Sequence, residues 1–296
     1  MTREIRTVFA HAKINLSLDI LSRRPDGYHD VRMIMQSLKL ADRIALQKTD
    51  EAGIILETDA PDIPKDDRNL CVKAAGLLFR RFSLPGGIRI DLKKHIPAAA
   101  GLAGGSSDAA AVLHGMRELY QLPLSDMELI EEGKKIGADV PFCILGGTAL
   151  SEGIGEQLTR ISAVLPFTVL LVKPPVSVST KEIYEAFDRT VPSERPDTEG
   201  MLLALQTGNA AGIAGRLVNV LEPVTAAMHP EIRQIRETLL CLGAAGARMS
   251  GSGPTVFGLF KEKAAAADAE KTVRELFPDA FTAVTEPLME GNTDKI

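Results

Sequence analysis

Hydrophobic and polar residues alternate along the first part of the chain. From Ile14 to Ile20 every second residue is Ile or Leu, and shorter apolar runs follow at 44–46 and 54–56. Such alternation is typical of strands with one buried face. Pro25-Asp26-Gly27 interrupts the pattern with residues that favour a turn. The pattern therefore predicts a β-rich N-terminal region.

Helical spacing of apolar residues follows in two segments. The first runs from Asn69 to Phe82 and is expected to stop at Gly86-Gly87, before a strand at 88–92. The second has its apolar stripe between Ala109 and Tyr120. Ser106-Ser107-Asp108 would form its first turn, where Ser and Asp are favourable N-caps.

The second half of the chain has a different pattern. It predicts an apolar strand at 169–172, short helices between 180 and 221, a helix at 232–242, and strands on either side of 251–254. A boundary near residue 160 would give an N-terminal domain at 1–160 and a C-terminal domain at 161–296, each of ordinary size. The polar ending GNTDKI is expected to be frayed.

Composition and charge exclude several classes of protein. The chain is 45% hydrophobic and 25% charged, with a net charge of −5 and no polybasic run, which argues against coating of nucleic acid or of an anionic membrane. Its apolar runs are far shorter than the ~20 residues that span a bilayer, and its start has no long apolar stretch. We expect a cytoplasmic protein, monomeric or weakly dimeric, with no nucleic-acid or membrane partner.

Cysteines and aromatic residues are few. Cys71, Cys143 and Cys241 are spread without metal-ligand or disulfide spacing, so three buried thiols are expected. The chain has no Trp and only three tyrosines, so faces on which a flat ligand could stack are scarce. Tyr120 falls on a predicted apolar stripe, which leaves Tyr28 and Tyr184 as the candidates.

The segment from Lys93 to Asp108 combines a strand end, a loop of small residues and a helix start. Gly101, Gly104 and Gly105 allow positive φ and close approach of a ligand to the main chain, and a helix N-terminus attracts anions. The segment therefore predicts a phosphate site, although a tight turn without a ligand is the alternative. It matches neither common nucleotide-binding glycine motif.

Two further glycine-bearing segments are weak signals alone. Gly137 to Phe142 contains one carboxylate, Asp139, which on its own suggests a residue that ends a helix. Met249 to Thr255 on its own suggests a hairpin.

Three residues near the N-terminus are also weak signals when each is taken alone. Lys13 on its own suggests a solvated strand residue, and Tyr28-His29 on its own suggests the end of a turn.

Taken together and in order, these segments resemble the kinase family named for galacto-, homoserine, mevalonate and phosphomevalonate kinases. The matching runs are 12–16, 24–29, 97–108, 137–141 and 251–254, so the resemblance covers nearly the whole chain. It implies an α+β two-domain fold, with an N-terminal domain like domain 2 of ribosomal protein S5 and a ferredoxin-like C-terminal domain. The active site would lie in the cleft between them.

The resemblance also implies an activity. The run Arg-Pro-Asp-Gly-Tyr-His at 24–29 is similar to the branch of the family that phosphorylates the 2-hydroxyl of 4-diphosphocytidyl-2-C-methyl-D-erythritol with ATP, in the non-mevalonate route to isoprenoids. Magnesium would be bound mostly by ATP and water, with Ser106 or Ser107 as a protein contact. A sister kinase of mevalonate, homoserine or a sugar, and a non-catalytic module that binds nucleotide or RNA, are the alternatives.

Residue roles follow from the same resemblance. Asp139 matches the catalytic base and Lys13 the catalytic lysine. Asn15, Tyr28, His29, Thr180 and Tyr184, together with Asp139, match the substrate side, with Tyr28 stacking on cytosine and His29 hydrogen-bonded to it. The nucleotide side is matched by Asn69 near adenine, by Lys94, and by Pro97, Ala98, Ala99, Ala100, Gly101, Leu102, Ala103, Gly104, Gly105, Ser106 and Ser107. The family often has Gly in place of Ala99 and Ala103, and a methyl group predicts negative φ at both.

Overall fold

The computed structural model describes residues 4–289, and these form two β-sheets flanked by helices. The polar ending from Gly291 lies outside the described residues. The strands are β1 Ile5–Arg23, β2 His29–Thr49, β3 Gly53–Thr58, β4 Gly87–Lys93, β5 Thr148–Glu152, β6 Gln157–Arg160, β7 Thr168–Lys173, β8 Val218–Asn219, β9 Gly246–Met249, β10 Val256–Phe260 and β11 Phe281–Thr285. The helices are α1 Leu70–Phe82, α2 Gly104–Leu119, α3 Asp126–Lys134, α4 Val140–Leu145, α5 Thr180–Phe187, α6 Thr198–Thr207, α7 Ala210–Ala214, α8 Glu222–Met228, α9 Glu231–Cys241 and α10 Lys263–Leu276.

The first sheet is built on the long antiparallel pair β1 and β2, as the alternation predicted. Its order is β3-β4-β2-β1-β8, and β5 pairs with the half of β2 that β4 leaves free. The register between β1 and β2 shifts between His11 and Lys13 and again between Asn15 and Ser17. Such bulges bend a strand and redirect its side chains. They bracket Lys13 and Asn15, two of the β1 residues that line the cleft described below.

Helices α1 and α2 cover this sheet with the apolar stripes that the sequence predicted. Asn69 is the N-cap of α1, and its Oδ1 accepts a hydrogen bond from Cys71 N at 2.8 Å. The predicted helix from Asn69 to Phe82 is confirmed, since α1 runs from Leu70 to Phe82, but the residue that ends it is Ser83, in a left-handed conformation with φ of 48°, and not Gly86-Gly87.

The predicted capping of α2 is also wrong. The helix begins at Gly104, and its N-cap is Ala103, with φ of 57° and no side-chain hydrogen bond. The left-handed turn at Ala103 starts the helix before Ser106, so Ser106 and Ser107 lie in the first turn as predicted, but neither they nor Asp108 caps it.

The second sheet is antiparallel, with the order β11-β7-β10-β9. With α9 before β9 and α10 between β10 and β11, its elements follow the β-α-β-β-α-β order of a ferredoxin-like domain. The chain passes from the first sheet to the second between Arg160 and Thr168, but β8 returns to pair with β1. The domain limit at residue 160 therefore stays a prediction.

Two smaller predictions have separate outcomes. Tyr120 packs against the core, and its hydroxyl donates to Gly87 O at 2.9 Å. The expectation of three buried thiols is wrong for two of them. Cys71 is buried, but Cys143 is only partly buried and Cys241 lies exposed at the end of α9. Within residues 4–289 no helix is both long and apolar enough to cross a membrane.

Candidate active site

Lys13 and Asn15 lie two residues apart on β1 and therefore on one face of the strand. Lys13 is 4% exposed and Asn15 is fully buried. The Lys13 ammonium donates to Asn15 Oδ1 at 2.7 Å. Burial of a lysine is costly unless its charge is paired and hydrogen-bonded. The interpretation of Lys13 as a solvated strand residue is therefore wrong.

Asp139 supplies the opposite charge. It occupies the N-cap position of α4 but makes no capping hydrogen bond, and its Oδ2 lies 3.7 Å from Lys13 Nζ. Its side chain is 33% exposed, against 5% for that of Lys13. Asp139 starts a helix instead of ending one, and its carboxylate remains accessible to a bound molecule.

The loop from Ser250 to Thr255 connects β9 to β10, so the predicted hairpin is confirmed. It also reaches the first domain, because Ser250 Oγ donates to Gly101 O at 2.9 Å and accepts from Asn15 N at 3.3 Å. Gly251 has φ of +59°, and a Cβ on it would lie 3.6 Å from Lys13 Nζ. The loop therefore closes over the Lys13 side chain.

Asn219 supports this loop and was missed by the sequence analysis. It is 2% exposed on the short strand β8, and its Nδ2 donates to Met249 O and to Gly251 O, both at 2.8 Å. A buried Asn that is fully bonded fixes the backbone around it. No motif marks this residue, and a polar side chain between two valines was the only signal.

The glycine-rich loop corrects one prediction. Ala99 has φ of 49° and Ala103 has φ of 57°, so the expectation of negative φ at both is wrong. Between them Gly101 packs so closely that a Cβ on it would lie 2.3 Å from Ser250 O. A left-handed alanine costs about 1–2 kcal/mol, which tertiary contacts of this kind can offset. The loop thus reaches its conformation without Gly at those positions.

The residues predicted for the nucleotide divide into two groups. Ala99, Ala100, Gly101, Ala103, Gly104, Gly105 and Ser106 line the cleft. Asn69, Lys94, Pro97, Ala98, Leu102 and Ser107 are not among the residues that line it. Leu102 is core, and the hydroxyl of Ser107 is 2.9 Å from Gly104 O, to which it donates. The side chain of Asn69 is likewise engaged, because its Nδ2 donates to Pro64 O at 2.8 Å.

Lys94 is held behind the loop by two carboxylates. Its ammonium pairs with Asp42 and, at 2.7 Å, with Asp108 Oδ2. Burial lowers the pKa of Lys94, but the two carboxylates outweigh it and raise that pKa above its usual value. The charge of Lys94 is thus engaged inside the protein, at the base of the glycine-rich loop.

The predicted base pocket brings Tyr28, His29 and Tyr184 to one wall of the cleft. The rings of His29 and Tyr184 are 5.0 Å apart, tilted by 52°. Burial, with a smaller effect of Asp139, raises the pKa of Tyr184, so its hydroxyl stays protonated. Tyr28 is 60% exposed. Thr180 Oγ1 lies 2.8 Å from Ser252 Oγ, which joins α5 to the loop after β9.

The cleft has a volume of about 700 Å³ and joins these parts. The glycine-rich loop, the aromatic residues and the pair of Lys13 and Asp139 all line the same cavity. Within the described part of the chain, no three His, Cys, Asp or Glu side chains form a metal site. Ser106 is the hydroxyl of the helix start that lines the cleft.

Asp188 also lines this cleft and was missed. Its Oδ1 lies 2.7 Å from His29 Nε2. The spacing of four residues between Tyr184 and Asp188 on a predicted helix was a signal that could have found it.

Comparison with known proteins identifies the family. The model of the GHMP kinase N-terminal domain matches residues 69–147, and that of the GHMP kinase C-terminal domain matches residues 201–279. A relative from Acetivibrio thermocellus, named 4-diphosphocytidyl-2-C-methyl-D-erythritol kinase, is 48% identical over 276 residues, which cover 93% of this chain and 97% of the relative.

Solved structures of similar proteins point to the same family. The crystal structure of a 4-(cytidine 5'-diphospho)-2C-methyl-D-erythritol kinase superposes with a TM-score of 0.80 at 33% identity, covering 95% of this chain and 99% of that one. A homoserine kinase from Cytophaga hutchinsonii has a TM-score of 0.76 at 18% identity over 97% of this chain and 98% of its own, which shows a shared fold alone.

These matches confirm the two-domain α+β fold and the kinase activity expected from the sequence. The two family models, the high sequence identity over almost the full length and the close structural superposition point to the same family as the order of the motifs along the chain. The chain belongs to the GHMP kinase family, within the group of 4-diphosphocytidyl-2-C-methyl-D-erythritol kinases.

Proposed function

We propose that this chain transfers the γ-phosphoryl group of ATP to the 2-hydroxyl of 4-diphosphocytidyl-2-C-methyl-D-erythritol, giving the 2-phosphate and ADP. The observation that carries the proposal is the Lys13–Asp139 pair, 3.7 Å apart in a cleft that also holds a glycine-rich loop and an aromatic wall. The names of the relatives support the choice of acceptor.

The glycine-rich loop and the start of α2 suit a triphosphate. No side chain caps the first turn of α2, so its N-terminus keeps the partial positive charge that attracts an anion. A Cβ on Gly105 would meet only Leu70 Cδ1, at 3.9 Å, so the backbone there is open to a ligand. ATP with Mg²⁺ would supply the phosphoryl group and neutralise part of its charge, and Ser106 is the hydroxyl available to the ion.

Lys13 and Asp139 would align the acceptor and receive its proton. Phosphoryl transfer passes through a loose transition state, so positioning and charge neutralisation matter more than a strong base. Asp139 accepts the hydroxyl proton late in the transfer, a contribution of roughly 10²–10⁴-fold. Lys13 holds that carboxylate in place, and Asn15 holds Lys13 through its hydrogen bond of 2.7 Å.

The proposal is tested by coupled release of ADP with a panel of alcohols: the cytidyl substrate, mevalonate, homoserine and galactose. We expect turnover with the cytidyl substrate alone. Asp139→Asn is expected to lower kcat by about 10²–10⁴-fold with the KM for ATP unchanged. Asp126→Asn, at a carboxylate that pairs with Arg117 outside the cleft, is the matched control. Turnover of another alcohol in preference, or full activity of Asp139→Asn, would refute the proposal.

A further inference from the structure

Asp188 is a cleft residue that the chemistry proposed above does not use. It directly follows α5, and its backbone N–H donates to Tyr184 O at 3.0 Å, one helical turn earlier. Residues four apart share a face of a helix. One face of α5 therefore presents a phenol ring and a carboxylate to the same neighbour, His29.

His29 is held on two sides. The Tyr184 ring packs against it, and Asp188 Oδ1 lies 2.7 Å from Nε2. The imidazole is 7% exposed, so its orientation is set by these contacts. The other oxygen of Asp188 lies 3.3 Å from Arg23 Nη1, which fixes the carboxylate in turn. Among residues 4–289, Nδ1 of His29 has no hydrogen-bond partner.

These contacts determine which ring nitrogen carries the hydrogen. An ionised carboxylate only accepts hydrogen bonds, so Nε2 must be the donor to Asp188. In the neutral imidazole, Nδ1 then keeps its lone pair and acts as an acceptor. Because His29 lines the cleft, this acceptor is offered to a bound molecule.

We propose that Asp188 is a positioning residue that fixes the tautomer of His29 and thereby makes the cleft select cytosine over uracil. The inference rests on the cytidyl substrate of the proposed function. Cytosine carries an exocyclic amino group, which donates to the Nδ1 lone pair, whereas uracil has a carbonyl oxygen at that position. Two facing acceptors repel, and a buried group left unpaired lowers affinity further.

The kinetic test compares the cytidyl substrate with its uridyl analogue. Asp188→Ala is expected to reduce the cytidyl-to-uridyl ratio of kcat/KM by at least about tenfold, through KM for the cytidyl substrate. Asp188→Asn keeps a carbonyl acceptor for Nε2–H and is expected to retain most of the ratio. Asp197→Ala is the matched control, since it breaks a comparable contact with Arg216 away from the cleft. An unchanged ratio in Asp188→Ala would overturn the inference.

A second measurement reads the tautomer directly. ¹⁵N-detected NMR of the imidazole, assigned with His29→Ala, is expected to show the hydrogen on Nε2 in the wild type and a mixture of tautomers in Asp188→Ala. A hydrogen on Nδ1 in the wild type would overturn the inference.

A failure of the proposed function can be distinguished from a failure of the inference about Asp188. If the wild type releases no ADP with the cytidyl substrate, that function is wrong, and titration with CDP and UDP then decides the inference. A preference for CDP that is lost in Asp188→Ala supports it, and a preference that persists, or none in the wild type, overturns it.

Discussion

The buried cluster of Asp42, Lys94 and Asp108 predicts a stability that falls as the pH rises. One ammonium lies between two carboxylates, so one negative charge is left uncompensated when both are ionised. Asp42 also accepts hydrogen bonds from the backbone of His95 and Ile96. Asp108 Oδ1 is buried and has no hydrogen-bond partner among residues 4–289. Asp108 is therefore the carboxyl group that gains most from a proton.

The size of the effect follows from the pKa. Burial raises the pKa of Asp108 to about 7, with Asp42 adding to the shift and Lys94 opposing it. The ordinary value in an unfolded chain is ~3.9, so between about pH 4 and 7 the folded state binds the extra proton. The stabilisation is complete below pH 4 and is lost as the pH rises through 7. A difference of about three pKa units corresponds to at most about 4 kcal/mol.

The substitution Asp108→Asn tests this reasoning, because the amide keeps the shape and cannot ionise. Urea unfolding between pH 4 and 8 should show the wild type losing up to about 4 kcal/mol relative to the variant. Circular dichroism is the suitable signal, since the chain has no Trp. Asp66→Asn is the control, because its partner Arg68 lowers the pKa of exposed Asp66 to about 2, below this range.

Parallel pH profiles of the wild type and Asp108→Asn would refute the argument, since they would mean that Asp108 is ionised in the folded protein throughout. The histidines do not confuse the result. Burial lowers the pKa of His114, for example, but that group titrates equally in both proteins and cancels in the difference.

Three further results are expected. Ala103→Gly should raise the free energy of unfolding by about 0.5–1 kcal/mol, because Gly relieves the left-handed conformation but loses more entropy on folding; a loss in urea unfolding would contradict this. Asn219→Ala should cost about 1–3 kcal/mol in the same assay and lower kcat, because Gly251 O loses its donor; normal kcat would remove Asn219 from the support of the site. Tyr28→Ala should raise KM for the cytidyl substrate about 5–150-fold through lost stacking, and an unchanged KM would exclude Tyr28 from the pocket.

Periodicity predicted the elements because burial imposes it. The alternation from Ile14 to Ile20 is a strand, although its polar residues are buried as well as its apolar ones, and the stripe from Asn69 to Phe82 is a helix on that sheet. The ends of elements were less predictable. Ala99 and Ala103 adopt a left-handed conformation, and Gly101 between them packs against a loop about 150 residues further on, a contact that no local rule contains.

The residues of the site also differ in how far the sequence could predict them. Lys13 and Asp139 are marked by their surrounding motifs, and the fold brings them to 3.7 Å. Asn219 and Asp188 stand outside any motif, and their value comes from the partners that folding gives them, the Gly251 carbonyl and the His29 imidazole. A residue that acts through another residue can be recognised only when the fold shows which side chain or carbonyl it contacts.

Because aromatic residues are few, stacking on a base and recognition of its edge fall to different residues of the pocket. Tyr184 is fixed against His29, and Tyr28 is 60% exposed, so a base would meet one wall already built and bury the second on binding. Stacking is worth about 1–3 kcal/mol per base but is nearly blind to which base stacks. Two tyrosines therefore provide affinity for cytosine and uracil alike. Discrimination has to come from the edge of the base, where His29 lies and where Asp188 decides which nitrogen carries the hydrogen.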